Sequence, residues 1–177
     1  GSTAHTVTLA GEAGQVADVT LHGVSVAAPA NKAPVSVTSG SARISLAQSS
    51  DLTGGSGRPG IQVAGDSALT LAGSGALTAR GGSAAAGIGS GDRTPSGNVT
   101  ITSGDITAIG GSRAAGIGGG DGSFGGVIAI QGGQIHATGN GGGAGIGGGS
   151  NGCNSSGEGS IAAYVTITAG RVTAVGG

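Results

Sequence analysis

Two aspartates occupy equivalent points of two similar glycine-rich segments, and carboxylates placed in this way could hold a metal ion. The segments read AAAGIGSGDRTPSG at 84–97 and RAAGIGGGDGSFGG at 113–126, and the aspartates are Asp92 and Asp121. The interval between the aspartates (121 − 92) equals the interval between the isoleucines of the same segments (117 − 88). In a chain that coils with this period, the carboxylates would stack about 5 Å apart, close to the distance between neighbouring strands.

Two stacked carboxylates repel each other by about 3 kcal/mol when the effective dielectric constant is about 20. A Ca²⁺ ion that bridges them, completed by loop carbonyls and water, would remove this repulsion. The pattern therefore predicts a metal site at Asp92 and Asp121, with calcium as the cofactor. The alternative is that each aspartate caps its own turn and points into solvent.

Other side chains suited to ligand binding lie in the same connections, which run over 88–99, 117–128 and 146–165. The first two connections are equally long (99 − 88 = 128 − 117), whereas the third (165 − 146) carries an eight-residue insertion. Insertions in repeat proteins gather on one face, often the binding face. We therefore predict a ligand surface in which an aromatic ring stacks on a sugar and polar groups hydrogen-bond it. Its residues are Arg93, Phe124, Asn154, Glu158 and Tyr164.

Catalysis is the less favoured interpretation of these groups. Two carboxylates about 5 Å apart could serve a retaining glycosidase, but the sequence lacks the crowded acidic and basic cleft of such enzymes. The histidines, His5, His22 and His136, are far apart in register, so they indicate neither a zinc site nor a catalytic triad. Cys153, the single cysteine, forms no intramolecular disulfide and reads as incidental within a polar loop.

Composition narrows the class of protein. The 177 residues fit one domain, 1–177, and include 44 glycines but only one Phe, one Tyr and no Trp or Met, which disfavours a conventional globular core. Charged residues make up 8% and the net charge is −1, which argues against binding nucleic acid. No apolar run approaches the roughly 20 residues of a membrane span. The opening Gly1-Ser2 reads as a cloning scar, so we expect a domain excised from a larger protein.

Three short apolar motifs recur along the chain, which indicates a repeat architecture. The period is shorter early in the chain (71 − 46) than later, where it is constant (117 − 88 = 146 − 117). The first motif contributes Val7, Val35, Ile61, Ile88, Ile117 and Ile146. The second contributes Val19-Thr20-Leu21, Ile44-Ser45-Leu46, Leu69-Thr70-Leu71, Val99-Thr100-Ile101, Ile128-Ala129-Ile130 and Val165-Thr166-Ile167. The third contributes Val24-Ser25-Val26, Leu52-Thr53, Leu77-Thr78-Ala79, Ile106-Thr107-Ala108, Ile135-His136-Ala137 and Val172-Thr173-Ala174.

Each motif alternates apolar and polar residues over three to five positions, which is the period of a strand. Gly, Ser, Asn and Asp lie between the motifs and supply turns. Three strands per repeat, each stacked on its counterpart in the next repeat, predict an all-β fold. We expect a right-handed, three-sided parallel β-helix of about six coils, with Val, Ile and Leu inside.

Two columns of hydroxyl side chains are predicted on the outside of this stack. One contains Thr20, Ser45, Thr70, Thr100, Ala129 and Thr166, and the other Ser25, Thr53, Thr78, Thr107, His136 and Thr173. Flat threonine arrays occur on some ice-binding proteins, which makes ice binding one alternative function. The β-propensity of threonine explains the same pattern without any ligand.

The segment VTITSGDITAIGGSRAAGIGGG at 99–120 and its neighbours resemble the Gly-rich β-helix repeats of secreted and cell-wall proteins from Gram-positive bacteria. They are also similar to the calcium-containing, carbohydrate-binding β-helix proteins of cellulolytic clostridia. The resemblance covers nearly the whole chain, most clearly 61–177. It implies an extracellular setting and the binding of acidic or plant-type polysaccharide with the help of calcium.

These observations favour a non-catalytic extracellular module, secreted or attached to the cell wall, that binds a polysaccharide or host glycan as a carbohydrate-binding module or adhesin. A passive cell-surface stalk or spacer is the main alternative, and a polysaccharide-cleaving enzyme or ice-binding domain is less favoured. The sequence ends at Val175-Gly176-Gly177 without a polar cap. Because solenoid ends need capping, we expect that either the parent protein continues or this edge meets a partner, by end-to-end self-association through uncapped coils.

Overall fold

The chain folds into a stack of coils with three flat sides. A computed structural model describes residues 5–12, 14–151 and 163–177. Within these ranges it contains 18 strands arranged in three six-stranded parallel sheets, and no helix. The prediction of an all-β, three-sided parallel β-helix is thus confirmed. The described residues also contain no helix of the length and apolarity that crossing a membrane requires.

Each of six coils supplies one strand to each sheet. The first three coils contain β1 (Val7–Ala10), β2 (Val16–Leu21), β3 (Ser25–Ala27), β4 (Val35–Ser39), β5 (Ser41–Leu46), β6 (Ser50–Thr53), β7 (Ile61–Val63), β8 (Ala68–Gly73) and β9 (Ala76–Arg80). The last three contain β10 (Ile88–Gly89), β11 (Asn98–Ile101), β12 (Asp105–Ile109), β13 (Ile117–Gly118), β14 (Val127–Ile130), β15 (Gln134–Thr138), β16 (Ile146–Gly147), β17 (Tyr164–Ile167) and β18 (Arg171–Val175). The strands of each coil belong in turn to the first, second and third sheet.

The first sheet has the register that the glycine-isoleucine motif predicts. Its pairing runs through Val7, Val35, Ile61, Ile88, Ile117 and Ile146 without a break. Ile88 and Ile117 are completely buried. Because parallel strands stack equivalent residues directly above one another, these side chains form a continuous apolar column along the axis of the protein.

The second and third sheets depart from the predicted register between the second and third coils. Ile44 pairs with Leu71, and not with Leu69 as the early repeat period requires. Leu52 likewise pairs with Ala79 in place of Leu77. A shift of two residues keeps every inward side chain inward, so the apolar pattern alone does not distinguish the two alignments. In the alignment that forms, Ser41 pairs with Ala68, and Ala68 donates its N–H to the carbonyl of Gly40.

This shift also corrects the two outward columns. Thr70 lies beside Arg43, and not beside Ser45, in the second sheet. In the third sheet Asp51, and not Thr53, lies between Ser25 and Thr78. Charged side chains therefore enter both columns in the second coil, which makes the outer faces less uniform than the sequence predicts.

The core is narrow and aliphatic. Completely buried leucines and isoleucines from all three sheets meet along the axis, and small alanines fill the third sheet. This explains the composition, because an interior of this width is filled by Val, Ile, Leu and Ala. Among the described residues no further coil covers the last one, so Ile167, which stacks on the fully buried Ile130, is 52% exposed.

A tight bend surrounds each short strand of the first sheet in the last three coils. The N–H of Ala115 donates to the carbonyl of Gly119 at 2.9 Å, and the same bond recurs one coil earlier and one coil later. Gly118 adopts a φ of 128° at the centre of the bend. A Cβ on Gly118 would collide with the carbonyl oxygen of Gly147, so only glycine fits at this point.

Candidate functional site

A polar cavity of about 450 Å³ opens at the edge between the first and second sheets. It is lined by Arg93, Arg113, Asp121, Gly122 and Asn151. We call it the arginine cavity. These residues come from three successive coils, and the cavity contains two of the residues that the sequence predicts as binding groups, Arg93 and Asp121.

The tight bend around β13 brings the two sides of the cavity together. Arg113 precedes Ile117 by four residues and Asp121 follows it by four. Because β13 is only two residues long and the chain reverses around it, both flanking segments reach the same edge. The N–H of Asp121 donates to the carbonyl of Ala84 in the preceding coil at 3.0 Å, which fixes the aspartate against the stack.

The carboxylate of Asp121 is held from two directions. The Nε of Arg113 lies 3.2 Å from Oδ2, and the Nδ2 of Asn151 donates to Oδ1 at 3.0 Å. The Asp121 side chain is only 13% exposed, whereas that of Arg113 is 59% exposed. Asp121 therefore neutralises one of the two arginines of the cavity and anchors it.

Three non-glycine residues of the cavity have left-handed backbone conformations. Arg93, Arg113 and Asn151 have φ values of 48°, 60° and 60°. For residues other than glycine this conformation costs about 1 kcal/mol or more. One coil away from Arg93, the equivalent position is Gly122, with a φ of 67°. The chain thus places arginine where its own repeat shows that glycine fits without strain.

Glycines of the next coil make room for both arginine side chains. A Cβ on Gly122 would lie 3.1 Å from the Cγ of Arg93, and a Cβ on Gly141 would lie 3.2 Å from the Cγ of Arg113. The aliphatic part of each arginine therefore rests on a bare backbone. Within the described part of the chain, the guanidinium of Arg93 has no hydrogen bond or ion pair.

The structure does not place Asp92 in this cavity. Asp92 is exposed, and the backbone contact to Asp121 comes from the N–H of Arg93, which donates to the Asp121 carbonyl at 2.8 Å. Among the described residues, no group of three or more His, Cys, Asp or Glu side chains could hold a metal ion. Calcium prefers six to eight oxygen ligands, but nitrogen donors occupy both oxygens of Asp121. The geometry fits an ion pair better than a calcium site, and calcium at Asp92 and Asp121 stays a prediction.

The predicted aromatic residues lie outside the cavity. Phe124 is half-buried. Tyr164 is 65% exposed at the start of β17 and pairs with Val127, itself 45% exposed, so the two form a small apolar patch on the second sheet. Asn154, Glu158 and Cys153 lie outside the described residues. The inserted length is visible in the pairing of Ile128 with Val165, because this interval (165 − 128) is eight longer than that of the preceding coil (128 − 99).

Sequence reasoning missed Arg113 and did not assign a role to Asn151. Arg113 precedes the glycine-isoleucine motif, whereas the predicted surface contains only residues that follow it. The sequence does contain one indication of Arg113. GSAA at 82–85 aligns with GSRA at 111–114, so a charged residue stands where the preceding coil has Ala84. Asn151 follows Gly122 by one full repeat (151 − 122 = 146 − 117), which also places it in the same column as Arg93.

The chain matches no protein-family model, no curated protein and no solved structure.

Proposed function

We propose that this protein is a non-catalytic extracellular module that binds a polysaccharide or host glycan along the edge that carries the arginine cavity. The observation behind this proposal is the arrangement of Arg93 and Arg113, two arginines in unfavourable backbone conformations around an open cavity. Strain of this kind concentrates at functional sites. The Tyr164 patch on the second sheet supplies the apolar surface on which a sugar ring can stack.

The cellular setting in this proposal comes from the resemblance of the repeats. Segments such as 99–120 resemble Gly-rich β-helix repeats of secreted and cell-wall proteins of Gram-positive bacteria, and carbohydrate-binding β-helix proteins of clostridia. The β-helix fold agrees with that resemblance. We therefore place the module outside the cell, as a carbohydrate-binding module or adhesin.

A passive stalk is the second candidate, and one observation favours it. The two aromatic residues do not converge on the cavity, and Phe124 is half-buried, so the aromatic surface for sugars is small. A stalk needs only the stiff stack of coils and no ligand. The two functions differ in one measurable property, which is binding to a glycan.

A glycan array that includes neutral and charged plant, bacterial and host glycans tests the proposal. We expect the parent protein to bind a defined subset, and the variants Tyr164→Ala and Arg93→Gln to lose that binding while keeping the parent's circular dichroism spectrum. The control is Arg80→Gln, an exposed arginine on the third sheet. An array without binding, or equal losses in the control, would leave the stalk as the function.

Calcium assistance is tested by thermal melts with calcium and with a chelator. Calcium at Asp121 has to displace Arg113, whose exposed side chain can move into solvent. We therefore expect the calcium-dependent rise in Tm to be larger in Arg113→Gln than in the parent, and absent in Asp121→Asn. Superimposable curves in all three proteins would remove calcium from the proposed function.

A further inference from the structure

The arginine cavity has an unbalanced positive charge. Arg93 and Arg113 contribute two positive charges and Asp121 one negative charge, so the described lining carries a net charge of about +1. The Asp121 carboxylate is already paired, because Arg113 and Asn151 both bind it. A ligand that enters the cavity therefore meets one positive charge without a partner among the described residues.

The free donors of the cavity point to an anion with oxygens in several directions. A guanidinium has five N–H donors, and the Nε of Arg113 is used by Asp121, which leaves its terminal amino groups for a ligand. Arg93 comes from the preceding coil and offers a second complete guanidinium. A planar carboxylate is satisfied by one guanidinium in a bidentate pair. A tetrahedral oxyanion presents oxygens on several sides and can accept from both arginines at once.

From this geometry we infer that the arginine cavity binds a singly charged tetrahedral oxyanion, a sulfate ester or a phosphodiester, carried by the glycan. That the anion is carried by a glycan rests on the proposed function. That the cavity binds such an anion rests on the cavity alone. One negative charge balances the cavity, whereas a phosphate monoester with a charge of about −1.5 to −2 exceeds it. Asp121 thus has a second role, since it limits the charge of the ligand that the cavity accepts.

The left-handed conformation of Arg93 supports this assignment. Gly122 shows that the position of Arg93 accepts glycine one coil away, so Arg93 is not needed for the turn. The stem of Arg93 rests on Gly122 and that of Arg113 on Gly141, which directs two side chains from neighbouring coils to one opening. Ala84, the equivalent of Arg113 one coil earlier, is also left-handed with a φ of 61°, so the turn forms without an arginine, and a ligand explains the two added guanidinium groups.

The test is an NMR titration of the whole protein with galactose 6-sulfate, a galactose methyl phosphodiester, galacturonate, galactose and inorganic sulfate. We expect the sulfate ester and the phosphodiester to shift the backbone amides of Arg93, Asp121 and Gly122. Arg93→Gln and Arg113→Gln should each weaken this binding about tenfold or more, because each removes a charge-assisted hydrogen bond. Arg80→Gln should bind like the parent, and added salt should weaken binding.

The charge-limiting role of Asp121 has its own readout. In Asp121→Asn the cavity has a net charge of about +2, so galactose 6-phosphate should gain affinity relative to galactose 6-sulfate. An unchanged affinity ratio would overturn this role. Stronger binding of galacturonate than of the two tetrahedral esters would overturn the choice of anion, and equal shifts with galactose would overturn the anion site altogether.

The same data separate this inference from the proposed function. If array glycans bind and lose affinity in Tyr164→Ala, but no anion shifts the cavity amides, the inference fails and the glycan-binding function stands. Inorganic sulfate could instead shift the cavity amides as strongly as the sugar esters while the array shows no binding. In that case the anion is not carried by a glycan, and the cavity is a site for a free anion only.

Discussion

At the scale of single residues, the arginine cavity consists of side chains that the repeat does not require. The equivalents of Arg93 and Arg113 in neighbouring coils include Gly122 and Ala84, and the stack forms equally well around them. Because a left-handed arginine is less stable than a left-handed glycine, the position of Arg93 loses some stability in exchange for a guanidinium group. Replacing such an arginine should therefore raise the stability of the protein and weaken ligand binding, and both effects can be measured.

We expect Arg93→Gly to stabilise the protein by about 1 kcal/mol, because it removes left-handed strain at a residue whose guanidinium has no hydrogen bond or ion pair among the described residues. For a chain of this size the rise in Tm is about 2–4 °C, and oxyanion binding should be lost. The matched change Arg80→Gly, in a strand paired on both sides, should instead lower stability by about 0.5–1 kcal/mol. Calorimetric melts of the three proteins test this, and a lower Tm for Arg93→Gly would contradict it.

The sequence predicts this site only in part. Asp121 and Arg93 follow the glycine-isoleucine motif at regular spacing, so the repeat places them on one edge. The contact between Arg113 and Asp121 depends on how sharply the chain reverses around Ile117, and that angle is a property of the backbone that residue spacing does not contain. Tyr164 lies outside the cavity because it begins β17 beside Val127 on the second sheet.

At the scale of elements, the glycine-isoleucine bend is the unit that makes the edge. Its glycines, Gly89, Gly118 and Gly147, have φ values of 136°, 128° and 143°, and each lies directly beside the next. The isoleucine points into the core while the flanking segments converge outside. A two-residue strand therefore combines a buried column with an exposed site, which a longer strand would keep apart.

Gly118→Ala should be among the most damaging small substitutions in the chain. The added Cβ meets the Gly147 carbonyl, and the φ of 128° is close to unique to glycine, so we expect a loss of more than about 3 kcal/mol. The control is Gly57→Ala, which also has a positive φ but nothing within 4 Å of the added Cβ, and should cost about 1–2 kcal/mol. Urea unfolding gives both values, and similar losses would show that the carbonyl contact is unimportant.

The register of the first sheet was predictable in the last three coils, because an isoleucine between glycines has only one counterpart in each of them. The other sheets contain runs such as Ala42, Ile44 and Leu46, in which every second residue is apolar. Two alignments that differ by two residues bury these runs equally well. The alignment that forms places Ser41 beside Ala68, a pairing that apolar spacing does not encode.

At the scale of the whole molecule, stability is a sum over coils that contact only their neighbours. Inner coils bury their aliphatic side chains between two others, whereas the last coil has one neighbour. Ile130 is fully buried and Ile167, stacked on it, is 52% exposed. Val165 and Ile167 are 39% and 52% exposed in this coil, and end-to-end association stays a prediction.

The same substitution should therefore have different costs in neighbouring coils. We expect Ile130→Ala to lower the free energy of unfolding by about 2–5 kcal/mol. Ile167→Ala should cost about 1 kcal/mol, since half of its surface is already in contact with solvent. Both values come from urea unfolding at low protein concentration. Equal losses would mean that another copy of the chain covers Ile167 under these conditions, and sedimentation would then detect the larger particle.

The pairing of Ile128 with Val165 shows that one corner of the protein accepts eight additional residues while the strands on both sides remain in register. Lengthening such a loop is inexpensive, since each doubling costs only about 0.6 kcal/mol of closure entropy. The corner before β17 is thus a natural place to splice in a peptide epitope or a tag. A spliced peptide would be displayed from a rigid support whose remaining surface is unchanged.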